Sequence, residues 1–405
     1  MTYKYALSIT SQASFCSTPI RLDTYSACQF GCAYCFAKSR GGNISKSQLN
    51  IASARVLKER LKRVRNGKAA SALDVLLQMR VPIQLGGMTD PFSPWEEQHR
   101  ASLELLRVLQ EDYYPTLIST KSLIPSLKGY AEILRDGNFY VRISFTGATP
   151  DKATALEAGV PSSSDRFRAI EKLSNMGIPV STRLQPLIPG QEEASARIIQ
   201  SAANAGAKHV SVEYLKVPLE NSMAQTRSLD RALPGIRDVY RNNGARRVGR
   251  EYTLPPENKI LGHELLSNSA RALGIVYGYA DNEFLLRNSF RSCCNAADLF
   301  LENAGAFDAN ILGVMKRGKG RQRKLLTLKE QEIPQFPMDN YLNSRSRPRL
   351  SKDATAKERW LSLLREKWNA PPWRGGPASF WQVHDTGERD IRGDKVFEIR
   401  DPLAA

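Results

Sequence analysis

Between residues 18 and 215, short apolar runs alternate with longer stretches whose apolar residues recur at helical spacing. Residues 19–25 read as a strand. Asn50 to Arg65 reads as a helix, since Ile51, Val56, Leu57 and Leu61 fall near one face. Residues 81–85 read as a second strand, ending at Gly86-Gly87. Ser93 to Gln110 reads as one helix, with Ser93 as N-cap, Pro94 at the first helical position and Leu103, Leu106 and Leu109 as its stripe. Residues 115–119 give a third strand, 124–135 a helix and 140–145 a fourth strand. A helix over 164–176 stops at Gly177, and a fifth strand covers 178–184. A helix over 192–205 stops at Gly206, and 208–214 form a sixth strand. Six strand–helix units in succession predict an α/β fold with parallel strands and right-handed crossovers. The site of such a fold lies at the carboxyl ends of its strands.

After Leu215 the pattern loosens. Helices are expected over 229–242 and 259–273. Residues 316–350 are rich in Lys, Arg, Ser and Pro and read as an exposed connector. A helix over 353–369 and a hairpin from 380–384 and 395–399 follow. Trp360, Trp368, Trp373 and Trp381 crowd this tail, and a small core accounts for them better than base stacking. The expected division is a core over 1–215, a helical continuation over 216–315, a basic connector over 316–350 and a Trp-rich module over 351–405.

Charge changes this picture. The 405 residues carry a formal net charge of +17, with basic runs at 241–250, 316–324 and 345–349. Lys and Arg that neutralise phosphates release counterions, so nucleic acid is the expected partner. Acidic proteins remain an alternative. No apolar run is long enough to span a bilayer, and the start of the chain lacks a secretory pattern. Six cysteines in this length do not make a disulfide scaffold, which fits a reducing cytoplasm. Four scattered His give no sign of His-based acid–base catalysis.

The candidate chemistry sits in CQFGCAYCF, where Cys28, Cys32 and Cys35 have C-x3-C-x2-C spacing. Soft thiolates select zinc, copper(I) or iron–sulfur clusters. A structural zinc site needs a fourth ligand that this segment does not supply. A 4Fe–4S cluster on three cysteines leaves one iron open for a substrate or cofactor. These residues resemble the CxxxCxφC signature of the radical S-adenosylmethionine (radical SAM) enzymes, with Tyr34 as φ. The resemblance implies a partial (β/α)6 barrel, and the charge pattern adds a basic C-terminal extension to it. It also implies a 4Fe–4S cluster whose open iron chelates SAM, and cleavage of SAM to methionine and a 5′-deoxyadenosyl radical. The electron then comes from a reductant such as flavodoxin or ferredoxin.

Further stretches resemble the spore photoproduct lyase-like, DNA repair photolyase group. They are residues 87–92 (GMTDPF), 119–122 (STKS), 155–167 (ALEAGVPSSSDRF), 177–180 (GIPV) and 186–190 (PLIPG). The resemblance implies that Gly86 and Gly87 approach SAM through their backbone, with Thr89 and Asp90 contacting SAM or substrate. Lys121 and Ser144 would hold the SAM carboxylate. Arg183 is a second candidate for that carboxylate or a substrate phosphate, and Arg166 and Glu157 would fix the loop after the fourth strand. The chain departs from spore photoproduct lyase at Gly87 or Met88, where that enzyme carries a hydrogen-donor cysteine. Cys293 and Cys294 are candidates to replace it. The expected function is a radical SAM enzyme that modifies or repairs a nucleic-acid-type substrate. Modification of a peptide or protein, and a non-catalytic cluster-bearing binder, are the alternatives.

Overall fold

The six strands expected between residues 18 and 215 lie side by side in sequence order, hydrogen-bonded in parallel. In the computed structural model they are β2 (Ile20–Leu22), β3 (Ile83–Leu85), β4 (Thr116–Thr120), β5 (Phe139–Gly147), β6 (Val180–Leu187) and β7 (His209–Tyr214). An antiparallel strand β1 (Leu7–Ile9) precedes β2, and a seventh parallel strand, β11 (Val276–Tyr279), follows β7. The sheet is open, since β1 and β11 are its unpaired edges. Two three-stranded sheets accompany it: β8 (Val217–Pro218), β9 (Arg246–Val248) and β10 (Glu251–Thr253), and β12 (Leu325–Leu326), β13 (Val383–Arg389) and β14 (Lys395–Ile399). The described residues are 3, 6–38, 49–219, 223–320, 324–329, 333 and 353–400.

Side chains alternate across a strand, and here the two faces differ in chemistry. Ile118, Val141, Ile143, Val180, Leu184, Val210 and Val212 share one core with helical Leu106, Leu134, Leu173, Ile199 and Leu266. The positions between them are largely polar: Arg21, Gln84, Ser119, Arg142, Ser144, Ser181, Arg183, Ser211 and Glu213. A parallel sheet usually buries apolar residues on both faces. This one has a largely polar inner face, most of it buried.

Several helices differ from expectation. The expected helix over 93–110 breaks into Trp95–His99 and Ala101–Glu111, with Arg100 in the left-handed region at φ 50°. The buried Glu96 carboxylate explains the break. It accepts the N–H groups of Ser102 (2.8 Å) and Leu103 (2.9 Å), capping the second helix, and the hydroxyls of Tyr25 and Tyr130. Ser93 does not act as the expected side-chain cap; its hydroxyl is buried without a partner. The helix expected over 229–242 splits at Pro234-Gly235 into Met223–Ala232 and Ile236–Asn242, and Gly235 takes φ 79°. Residues 216–315, expected to be helical, also contain β8 to β11.

The start of the basic run at 316–324 belongs to a helix, Ile311–Gly320. Lys316 donates to the carbonyls of Asn288 (3.2 Å) and Phe290, and Arg317 to that of Asp308 (3.1 Å). These cations satisfy carbonyls instead of forming an open patch. Residues 321–323 and the run at 345–349 lie outside the described residues. In the tail, Trp360 and Trp368 are fully buried in the main core, donating to the carbonyls of Ala309 (2.7 Å) and Lys395 (2.8 Å). Trp373 is exposed. Among the described residues no helix is long and apolar enough to cross a membrane.

A buried ion cluster ties β11 to the core. The Lys259 ammonium donates to Asp281 (2.9 Å) and to Glu283, and Asp281 accepts the Tyr214 N–H (2.9 Å) and lies 3.0 Å from His263 Nε2. Burial pushes the Asp281 carboxyl up, but Lys259 and His263 outweigh it and hold it well below its usual range. A depressed carboxyl stabilises the fold above its unfolded pKa, near pH 4, and that contribution is lost as pH falls through the folded value. Lys259→Met leaves Asp281 buried without its cation and should cost about 3–5 kcal/mol. Urea unfolding of the cluster-free protein checks this, and a midpoint equal to wild type contradicts it.

Candidate active site

The cysteine loop leaves β2 through residues 23–26 and is fastened to the segment after β5. The Gly31 N–H donates to Ala158 O (3.1 Å) and the Ala33 N–H to Leu156 O (2.8 Å). Cys32 is buried, and Cys28 and Cys35 are partly so. Burial pushes the Cys28 thiol up to about 12, with the Asp90 carboxylate adding to it. Burial likewise pushes Cys32 up to about 11, against the Lys121 cation. Such thiols lose their protons when a metal binds, so metal binding and ionisation are coupled.

The donor set fits an iron–sulfur cluster. It is three soft sulfurs on one short loop, and backbone N–H groups of Phe30 and Asp90 point at the Cys28 sulfur. Among the described residues no three His, Cys, Asp or Glu side chains close on a single metal ion. A 4Fe–4S cluster places each thiolate on a different iron, so its ligands need not share one ion.

Glu157 is the hub beside this loop. Its carboxylate accepts the Tyr34 hydroxyl and Arg166 Nη2 (2.9 Å), and Lys121 Nζ lies 3.9 Å away. Thr146 donates to the Tyr34 oxygen (3.2 Å), and the Lys121 ammonium stands 5.7 Å from the Tyr34 ring centre. Burial opposes ionisation of Glu157, but Lys121, Arg166 and Tyr34 outweigh it and hold the carboxyl below its usual range. Arg166 also donates to the Ser144 carbonyl (2.5 Å). The motif Tyr is thus fixed by residues that follow β4 and β5.

The glycine turn is held from behind. Gly86 takes φ 90°, and a Cβ there would stand 2.4 Å from the Ser119 carbonyl oxygen, so the strand ends meet only if this residue is glycine. A Cβ at Gly87 would lie 3.0 Å from Arg21 Cβ. Asp23, which no motif singles out, is wholly buried and accepts the N–H groups of Gly87, Met88 (2.7 Å) and Thr89 (3.3 Å). The Thr89 hydroxyl donates to Tyr25 O (2.7 Å). Asp90 accepts the Thr120 hydroxyl (2.7 Å) and the N–H groups of Lys121 (2.7 Å) and Phe92 (2.9 Å). In this state the Thr89 and Asp90 side chains are engaged within the protein and fix the turn.

Lys121 follows the last residue of β4, so it stands at the rim with the cysteine loop. Ser144 and Arg183 are register partners on β5 and β6. Cys293 and Cys294 lie elsewhere, toward the amino ends of the strands. His209, the first residue of β7, has Nε2 3.0 Å from Cys293 O, and Tyr140 donates to Cys294 O (3.2 Å). Cys16 joins them, since the Thr18 hydroxyl lies 3.6 Å from both the Cys16 and the Cys294 sulfurs. Burial, with Cys294 and Cys16 adding to it, pushes the Cys293 thiol up to about 12. No spacing in the sequence signals this meeting of three cysteines.

Comparison with known proteins agrees with this arrangement. Residues 22–202 match the model of the Radical SAM superfamily. The match spans just under half of the chain and marks a radical SAM domain, and that family uses a 4Fe–4S cluster and SAM. It is 21% identical over 263 residues to the radical SAM Nalpha-GlyT isomerase of Pseudomonas phage M6, covering 62% of this chain. The chain spans about half, 51%, of that relative's length. Among solved structures, a variant of spore photoproduct lyase superposes with TM-score 0.52 at 14% identity, over 68% of this chain and 79% of that one. Another variant, with bound AdoMet and dinucleoside spore photoproduct, gives TM-score 0.51 at 14% identity, over 66% of this chain and 80% of that one. At this identity the likeness establishes the fold alone.

Gly86→Ala brings both a strained φ and a clash with the Ser119 carbonyl. It should destabilise the protein by about 1–3 kcal/mol, whereas alanine at Gly129, which meets nothing within 4 Å, should not. Thermal unfolding of the two variants separates them.

Proposed function

We propose that this enzyme cleaves SAM reductively at a cluster held by Cys28, Cys32 and Cys35, and modifies or repairs a nucleic-acid-type substrate on the inner face of its sheet. The observation that carries the reading is the three-thiol loop seated over the strand ends, beside Lys121 and Glu157. When bound, the reduced cluster supplies the electron that breaks SAM into methionine and a 5′-deoxyadenosyl radical. Lys121, a compact cation with mobile donors, suits the SAM carboxylate, and Ser144 adds a hydroxyl. Gly86 and Gly87 keep the turn free of side chains, and Asp23 and Asp90 hold it in place. Tyr34, clamped by Glu157, supports the loop beside the third thiolate. Six free cysteines fit a reducing cytoplasm, where flavodoxin or ferredoxin is available as electron donor.

Three observations support the nucleic-acid class of substrate. The net charge is +17. Arg246, Arg247 and Arg250 are exposed on and beside β9. The structural neighbour named above holds a dinucleoside ligand. Anaerobic incubation of the reconstituted protein with SAM, reductant and candidate DNA and RNA, read by mass spectrometry, tests the reading. A substrate-dependent mass change supports it, and SAM cleavage that modifies a peptide but no nucleic acid overturns the substrate class.

Cys32→Ala should abolish the cluster, which in wild type amounts to about four irons per chain, and with it SAM cleavage. Iron and sulfide analysis checks this; stoichiometric zinc without sulfide in wild type contradicts it. Replacing Arg246 and Arg247 with Ala should weaken DNA or RNA binding across sequences. The slope of log affinity against log salt should flatten by roughly 0.7–0.9 for each phosphate that is no longer neutralised. Salt-dependent binding assays read that slope directly.

A further inference from the structure

Of two arginines on the inner face, one has no carboxylate partner among the described residues and the other shares one. Arg142 on β5 is only 3% exposed. Its Nε and Nη2 donate to the Ser119 hydroxyl on β4 (3.2 and 2.9 Å), and among the described residues no carboxylate pairs with it. Arg183 on β6 has Glu213 Oε2 at 4.0 Å. That carboxylate already accepts Lys216 Nζ and Gln185 Nε2. The register places Ser119 beside Arg142, and Arg183 between Ser144 and Ser211. Ser211 is 1% exposed, and its hydroxyl has no hydrogen-bond partner.

Burial and the neighbouring Arg142 both work against the Arg183 charge, bringing it down to about 10. Glu213, Cys293 and Cys294 work the other way but do not outweigh them. A buried cation with no carboxylate, beside one whose carboxylate is shared and a hydroxyl left unbonded, is costly unless an anion completes the set. Guanidinium forks suit the oxygens of a phosphate or carboxylate. Arg142, bonded to Ser119, lies one inward-facing position deeper than Ser144, and Arg183 is level with Ser144 at the rim.

We propose that Arg142 and Arg183, with Ser119 and Ser211, form an anion subsite on the inner face that takes a phosphate or carboxylate group of the substrate. The inference rests on the reading that the inner face receives the substrate. Neither arginine is asked to touch the cluster or to transfer a proton. Their task is to fix the substrate's anionic group while the reacting part faces the rim.

The test uses full-length protein with its cluster reconstituted and inorganic phosphate as the probe, titrated against chloride at constant ionic strength and followed by 31P NMR and thermal shift. SAM binding is measured in parallel by calorimetry. Wild type should show one saturable phosphate site. Arg142→Gln and Arg183→Gln should each weaken it about tenfold or more, the loss of a charge-assisted hydrogen bond. Arg142→Lys, which keeps the charge without the fork, should fall between. SAM affinity should not change in the Arg142 variants. If Arg142→Gln does not fold, Arg183→Gln and Arg142→Lys carry the comparison. Equal phosphate affinity in folded variants and wild type would show binding to the basic surface only and overturn the subsite. Parallel loss of SAM affinity in the Arg142 variants would assign the arginines to the cofactor and also overturn it. Failure of the function proposed above reads differently: SAM cleavage would be missing while the phosphate site persists.

Discussion

Three carboxylates, Asp23, Asp90 and Glu157, hold together the chain segments that leave β2, β3, β4 and β5. Asp23, at the end of β2, gathers the N–H groups of the turn after β3. Asp90, in that turn, gathers the end of β4. Glu157, after β5, receives the tyrosine of the cysteine loop together with Arg166. Each link joins one strand end to another, so the rim is set by side-chain-to-backbone bonds and not by the sheet alone. Burial raises Asp23 and Asp90 toward the neutral form, while the two cations beside Glu157 keep it charged. A carboxylate with several donors in low dielectric is costly to leave half-satisfied, so these links act as a unit.

With the rim held this way, the two faces of the sheet serve different ends. Val141, Ile143, Val180, Leu184, Val210 and Val212 pack against helices and supply the apolar burial that stabilises the fold. The alternate positions carry Arg, Ser, Gln and Glu, and need partners that the sheet does not fully provide. Ser211 and Gln185 keep buried oxygens unbonded. Polar groups left unpaired inside a folded protein are unusual, and here they lie on the face that opens toward the cysteine loop. The sheet, open between β1 and β11, leaves that face with edges as well as a rim.

The segment after β11 covers the amino ends of the strands. Cys293 and Cys294 reach His209 and Tyr140 through backbone carbonyls, and Phe300 stacks on Tyr140 with ring centres 4.5 Å apart. Gly278 permits this approach, because a Cβ there would lie 2.1 Å from the Cys293 carbonyl oxygen. The tail then joins the same core through Trp360, Trp368 and Phe397. Much of the lysine and arginine that looked like free basic charge near residue 316 is used to satisfy carbonyls at these joints. The net charge is therefore a poorer guide to a binding surface than the exposed arginines of β9.

The sequence by itself determined the six parallel strands, their order and the place of the cysteine loop, because apolar periodicity and glycine stops are local signals. It also carried the alternation of polar and apolar residues in β5 to β7, readable at Tyr140–Phe145 as every second position. Tertiary structure decided what depends on residues far apart in the chain. Glu96 breaks a helix because Tyr25, Tyr130 and a new helix start converge on one carboxylate, and no local propensity encodes that meeting. Asp23 organises a turn more than sixty positions away, and Cys16 meets Cys294 across more than half of the chain. Val276–Tyr279 joins the sheet as a parallel edge strand only because β7 offers an open edge. Arg142 and Arg183 become neighbours through strand register, which is set by hydrogen bonds between strands and leaves no mark in either segment alone.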